Sequence, residues 1–67
     1  MNLLLFTAAD RLGDGRIRIA DHRLQHLVQV LGAGVGDKLR VGELGGLSGT
    51  GTLLEIHSAQ AVLAVEL

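Results

Sequence analysis

Four basic residues of this chain alternate with aliphatic residues in two short segments, Arg16–Ile19 and 38–41. The basic residues are Arg16, Arg18, Lys38 and Arg40. Alternation with a period of two is typical of a strand with one buried face, which leaves the basic side chains on the solvated face. If the two strands are neighbours, the four cations form a stripe that can follow a phosphate backbone. The alternative is two ordinary solvated strand faces, since outward strand positions are often Lys or Arg.

Two histidines, His22 and His26, lie one helical turn apart and could both contact a metal ion. The zinc-protease pattern requires Glu directly after the first His, and this chain has Arg23 there. We therefore predict no metal site. Arg23, on the helix near the proposed stripe, and His26 are also predicted RNA contacts.

The glycine-rich segments do not match nucleotide-binding loops. Residues 32–36 leave a helix and enter a strand, the reverse of a dinucleotide-binding loop, and residues 45–51 lack the Lys of a P-loop. Ser48 lacks the second glycine of a nucleophile elbow, because Thr50 stands there. The aspartates read as turn or cap residues. The sequence therefore predicts no catalytic, cofactor-binding or metal-binding residue.

Composition limits the choices further. The 67 residues suffice for one domain, and the formal charge of −1 gives no general support for nucleic-acid binding. Phe6 is the single aromatic residue, so the usual base-stacking surface of single-strand binders is missing. The absence of cysteine fits a reducing compartment, and no targeting or membrane-spanning segment is visible. We therefore expect a cytoplasmic protein with no membrane partner.

A single helix, residues 21–31, is predicted between the two basic strands. Asp21 is a good N-cap, and Gly32 suits the left-handed position just past a helix end. The apolar residues fall at i, i+3, i+4 and i+7, which predicts one buried stripe. These residues are Leu24, Leu27, Val28 and Leu31.

The rest of the chain predicts strands and turns. Strands are expected at Leu3–Phe6, Arg16–Ile19, 38–41, 50–57 and 61–67, a polar turn at 10–15, a loop or wide hairpin at 42–51 and a turn at 58–60. In the fourth strand we expect one face to carry Thr50, Thr52, Leu54 and Ile56. The predicted fold is mainly β with one short helix, a small barrel of about five to six strands, since closure removes exposed strand edges.

Four short motifs follow one another in the order His26-Leu27, Val30-Leu31, Val35-Gly36-Asp37 and Leu39-Arg40-Val41. Their order and spacing resemble the N-terminal domain of the RsmE family. These proteins are SPOUT-class methyltransferases that modify ring nitrogen 3 of a uridine in small-subunit ribosomal RNA. The opening Met-Asn-Leu-Leu-Leu and residues 44–47 look like one branch of that family. Gly32 and Gln29 depart from it, because the family often has a basic residue at both positions.

The resemblance implies that residues 1–67 form a PUA-like domain that helps to hold ribosomal RNA. It also implies a C-terminal domain beyond this chain, with a trefoil knot that binds S-adenosylmethionine and forms a homodimer. The family's catalytic and cofactor-binding residues lie in that domain, so none is carried over. The rival interpretation is a protein-interaction barrel whose outward Leu44 and Leu47 and last strand dock a partner domain.

Overall fold

The computed structural model of this protein describes residues 3–30 and 32–67. It confirms a mainly β fold with one short helix. The strands are β1 (Leu3–Phe6), β2 (Arg11–Gly13), β3 (Arg16–Ile19), β4 (Lys38–Glu43), β5 (Ser48–Ile56) and β6 (Ala61–Glu66). A 3₁₀ turn spans Ala8–Asp10, and helix α1 (His22–Gln25) continues as a π-helical turn over His26–Val30. No helix in residues 3–30 and 32–67 is long and apolar enough to cross a membrane.

The six strands form one mixed sheet in the order β1-β4-β5-β6-β3-β2, curled into a half-barrel. The β1–β4 pair is parallel, and the other four pairs are antiparallel. Alternate residues of the strands face the inside of the curl, as the period-two patterns predicted. The largest fully buried side chains there are aliphatic apart from one phenylalanine: Phe6, Ile17, Ile19, Leu27, Val41, Leu53 and Leu63.

The helix begins as predicted at Asp21, whose Oδ1 accepts a hydrogen bond from the Arg23 amide at 3.0 Å. Leu24 and Leu27 are buried in the core cluster and fill the concave side of the sheet. The prediction for Val28 is wrong, because its side chain is 48% exposed. Val28 lies in the π-helical turn, where the 3.6-residue period that placed it in the stripe does not apply. Leu31, the last member of the predicted stripe, lies outside the described residues.

The helix exit agrees with the sequence. Gly32 has a φ of +61°, the left-handed conformation in which glycine is favoured. Just beyond it, the Ala33 amide donates to the Leu27 carbonyl at 3.0 Å, which satisfies one of the free carbonyls at the helix end. The chain then turns back toward the sheet to start β4.

Of the two alternatives predicted for 42–51, a loop or a wide hairpin, the structure has a hairpin, and its connection is much shorter than that range. Strand β4 continues to Glu43 and β5 begins at Ser48, so only residues 44–47 form the turn. Two of the glycines serve close packing within the sheet. A Cβ on Gly51 would lie 2.7 Å from Val41 Cγ1, and one on Gly49 would collide with the Glu66 carbonyl. Glycine is required at these positions because neighbouring strands approach closely. In the sequence, such glycines cannot be distinguished from those of a flexible loop.

A bulge in β5 corrects the face predicted for Ile56. The register with β6 shifts between Leu53 and Glu55, and an extra residue reverses the alternation that follows it. Thr50 and Thr52 precede the shift and point away from the core, Leu54 lies within the shift and is exposed, and Ile56 packs against the core.

The predicted turn at 10–15 contains a strand as well as a turn. Residues Arg11–Gly13 form the edge strand β2, which pairs with β3. Asp14 and Gly15 have φ values of +54° and +71°, as a type I′ hairpin turn requires. The Asp-Gly dipeptide is therefore the hairpin connection predicted, and the turn is shorter than expected. The turn at 58–60 is also present, closed by the His57 amide donating to the Gln60 carbonyl at 2.8 Å.

Candidate nucleic-acid interface

The strand register brings the four alternating cations to the outer, convex face of the sheet. Directly paired residues share a face, so the pairings define three rows across the strands. The first row is Lys38, Thr52, Ala64 and Arg16; the second is Arg40, Thr50 and Glu66; the third is Glu55, Val62 and Arg18. All four cations are exposed, as predicted.

The condition for one continuous stripe is not met, however, because β3 and β4 are not neighbours. Strands β5 and β6 lie between them, so three strand spacings, about 14 Å along the sheet, separate the two basic strands. The cations therefore form two pairs, Arg16 with Arg18 and Lys38 with Arg40. Alternation in the sequence shows which face a residue occupies, but strand order is decided by the packing of the whole sheet.

The free cations of this protein are concentrated on that face. The other two of the six basic residues, Arg11 and Arg23, are held in close ion pairs elsewhere. Within the described residues, Arg18, Lys38 and Arg40 make no ion pair, and Arg16 Nη2 lies 3.9 Å from a largely exposed Asp14 carboxylate. Such cations can exchange water and salt ions for an anionic ligand without breaking a strong internal contact.

Charge is unevenly distributed as a result. The outer rows carry four basic residues and two acidic ones, Glu55 and Glu66, a formal charge of +2. The whole chain carries −1, so the remaining residues sum to −1 − 2 = −3. The net charge of the whole chain therefore does not show that one face of the sheet is basic and that the remaining residues are acidic.

Arg23, a predicted RNA contact, is engaged inside the protein. Its Nε and Nη2 donate to the two oxygens of Asp21 at 2.7 and 2.8 Å, and its two Nη atoms donate to Asp10 at 2.9 and 3.1 Å. Its Nη1 also donates to the Leu5 carbonyl at 2.7 Å. All five N–H groups are used, and they connect β1, the 3₁₀ turn and the start of the helix. We therefore leave Arg23 out of the proposed phosphate contacts.

The ion pairs of Arg23 with Asp10 and Asp21 make the folding stability depend on pH in the acid range. Hydrogen bonds from Arg23 lower the pKa of Asp10 and, together with a backbone amide, lower the pKa of Asp21 to about 2. The same contacts raise the pKa of Arg23. Because both carboxyl groups bind protons less readily when folded, they add stability above their unfolded pKa values, near 4. That contribution disappears as the pH falls from about 4 through 2.

We expect the urea concentration at the midpoint of unfolding to decrease as the pH is lowered from 4 to 2. The decrease should be smaller in the double variant Asp10→Asn, Asp21→Asn. The effect is moderate, since the Asp21 side chain is 49% exposed and solvent screens its ion pair. Some acid sensitivity remains in the variant, because Arg11 lowers the pKa of Glu43 as well. Equal pH dependence in both proteins would show that the Arg23 cluster does not determine acid stability.

The predicted contact His26 belongs to the helix and to none of the three cationic rows. His22 and His26 are exposed, as the helical wheel predicted, and they border a shallow groove of about 300 Å³ beside edge strand β1. Arg23 and residues 3–5 form the rest of its lining. The six predicted site residues thus divide into four on the outer face of the sheet and two beside this groove.

One ion pair between distant strands was not predicted from the sequence. Arg11 of β2 donates through Nε and Nη2 to the two carboxylate oxygens of Glu43 in β4, at 2.8 and 2.9 Å. Its guanidinium carbon lies 5.6 Å from the centre of the Phe6 ring, within range of a cation–π contact. The pair joins one edge strand of the curled sheet to the opposite side. No local pattern signals it, because 32 residues separate the partners.

Comparisons with known proteins add no assignment: no protein family, curated protein or solved structure matches this chain. Across residues 3–30 and 32–67, no group of three or more His, Cys, Asp or Glu side chains is placed to hold a metal ion. The outer face of the sheet is therefore the candidate functional surface.

Proposed function

We propose that this chain is an RNA-binding domain that positions small-subunit ribosomal RNA for a methyltransferase. The observation that carries the proposal is the separation of the basic residues. Four are exposed on one face of the sheet, whereas Arg11 and Arg23 are held in internal ion pairs. A surface of this kind neutralises phosphates and releases their counterions.

The enzymatic part of the proposal comes from the resemblance to the RsmE family. In that proposal the parent protein methylates a uridine at ring nitrogen 3 and is a homodimer. Its C-terminal domain binds S-adenosylmethionine and carries out the transfer, and this chain, as a PUA-like domain, supplies RNA contacts. The curled sheet with its single capping helix is compatible with this role, and no residue of the chain is assigned a catalytic step.

Binding by this domain alone should be weak and sensitive to salt. Four phosphate contacts are few, and the acidic remainder of the chain repels RNA at longer range. We expect a Kd of about 10⁻⁴–10⁻⁶ M at physiological salt, the range of non-specific nucleic-acid binding. If all four cations contact phosphates, affinity should fall about 150-fold between 50 and 200 mM salt, a slope near −3.6 in log K against log salt.

The experiment is fluorescence anisotropy with a labelled small-subunit ribosomal RNA hairpin, titrated with the protein at several salt concentrations. A steep salt dependence is the expected result. Absence of binding at 50 mM salt, or binding that does not change with salt, would contradict the proposal.

A second candidate function is a docking barrel that binds a partner domain and not RNA. It is favoured by Leu44 and Leu47, which are 60% and 69% exposed in the β4–β5 turn. Large apolar side chains on a turn tip are suited to contact with another protein. This candidate predicts no RNA binding at low salt, so the same titration distinguishes the two.

A further inference from the structure

We infer that the outer face recognises double-stranded RNA, with one pair of cations on each side of a helical groove. The inference rests on the proposed function and specifies the class of RNA. Its basis is the division of the cations into two pairs, Arg16 with Arg18 on β3 and Lys38 with Arg40 on β4. Members of a pair lie two residues apart on one strand, about 7 Å, whereas the pairs are about 14 Å apart along the sheet.

Between the two pairs, the first row has only small side chains, whereas the second and third rows also carry Glu66 and Glu55. Strands β5 and β6 place Thr50, Thr52 and Ala64 in the rows between the cations. Val62 lies in the third row and is only 5% exposed. In the first row no long side chain lies between Lys38 and Arg16, so a ligand can lie across Thr52 and Ala64 and reach both basic strands at once.

Single-stranded RNA fits this surface poorly. Proteins that bind single strands stack bases on aromatic side chains, which contributes about 1–3 kcal/mol per base. Phe6, the single aromatic residue of the chain, is fully buried on the concave side and is covered by Arg11. A single strand would therefore gain phosphate contacts only, and it would lose the conformational freedom that a duplex has already given up.

Duplex RNA matches the surface in two respects. Its minor groove is wide and shallow and displays 2′-hydroxyl groups, and proteins recognise it by shape through phosphates and these hydroxyls. The two basic strands are far enough apart to reach phosphates on both sides of such a groove. Thr50 and Thr52 lie between them, and a threonine hydroxyl can both donate to and accept from a 2′-hydroxyl.

The carboxylates on the face account for selectivity between ligands. Glu66 lies two strands from Arg40 in the second row, and Glu55 lies two strands from Arg18 in the third. They repel phosphates that come down on the middle of the sheet. A duplex holds its phosphates apart on the two sides of a groove and so keeps them away from these carboxylates. A flexible single strand that binds across the whole face brings its phosphates close to them.

The test compares three labelled probes of one sequence by anisotropy at 50 mM salt: a 14-base-pair RNA duplex, its single strand and the matching DNA duplex. We expect the RNA duplex to bind at least tenfold more tightly than the single strand and more tightly than the DNA duplex, which lacks the 2′-hydroxyl. Arg18→Gln and Lys38→Gln each remove one cation from one pair. Each should reduce the salt slope for the RNA duplex by about 0.9.

The matched control is Gln25→Glu, which makes the same change in net charge on the exposed side of the helix and should leave the slope unchanged. Equal or tighter binding of the single strand would overturn the duplex inference and leave the proposed function standing. An unchanged slope in either Arg18→Gln or Lys38→Gln would overturn the two-sided contact. No binding of any RNA probe would reject the proposed function itself.

Discussion

Leu27→Ala should lower the free energy of unfolding by about 2–5 kcal/mol, the usual cost of removing a buried leucine side chain. Leu27 is fully buried and belongs to the cluster that joins the helix to the sheet. A chain of this size has a total stability of about 3–10 kcal/mol. The substitution should therefore remove a large share of the total stability, and urea titration followed by circular dichroism measures the loss.

Val28→Ala is the matched control, because it shortens the next aliphatic residue of the same helical turn at a position that is 48% exposed. We expect it to cost far less than Leu27→Ala. Asp21→Ala should fall between them at about 1 kcal/mol, the cost of losing a helix N-cap. If Val28→Ala were as costly as Leu27→Ala, the described packing of the helix on the sheet would be wrong.

Arg16→Glu combined with Arg40→Glu should abolish RNA binding without unfolding the protein. The two substitutions reverse one cation on each basic strand, so both sides of the outer face would repel phosphates. Both side chains are exposed, and neither belongs to the core cluster. Anisotropy with the ribosomal RNA hairpin measures binding, and circular dichroism checks that the variant is folded.

A milder pair separates a local effect from a change in overall charge. Arg16→Gln with Arg40→Gln lowers the net charge by two, as does Gln25→Glu with Gln29→Glu on the exposed side of the helix. Only the first pair should weaken binding strongly. Unchanged binding by a folded Arg16→Glu, Arg40→Glu variant would reject the outer face as the RNA surface. The next candidates would then be His22 and His26, which are exposed beside edge strand β1.

Local sequence determined much of this protein, because several of its features depend on neighbours along the chain. The alternation in Arg16–Ile19 predicted the exposed and buried faces of β3, since side chains of a strand point to opposite sides in turn. Asp21 and Gly32 predicted the start and exit of the helix through their own hydrogen-bonding and φ preferences. Asp14 and Gly15 predicted the hairpin turn for the same reason. The exposure of the four outer-face cations was predictable on these grounds as well.

Tertiary structure decided what depends on distant partners. The order of the strands separated the two basic strands by β5 and β6, which no periodicity could show. Gly49 and Gly51 belong to a strand because a neighbouring chain segment comes too close for a Cβ, although in sequence they resemble a loop. Arg23 was a predicted RNA contact, but in the folded chain its guanidinium group is paired with Asp10 and Asp21. Pairing of strands and of charges is set by the packing of the whole sheet, and so only the folded chain shows which cations remain free.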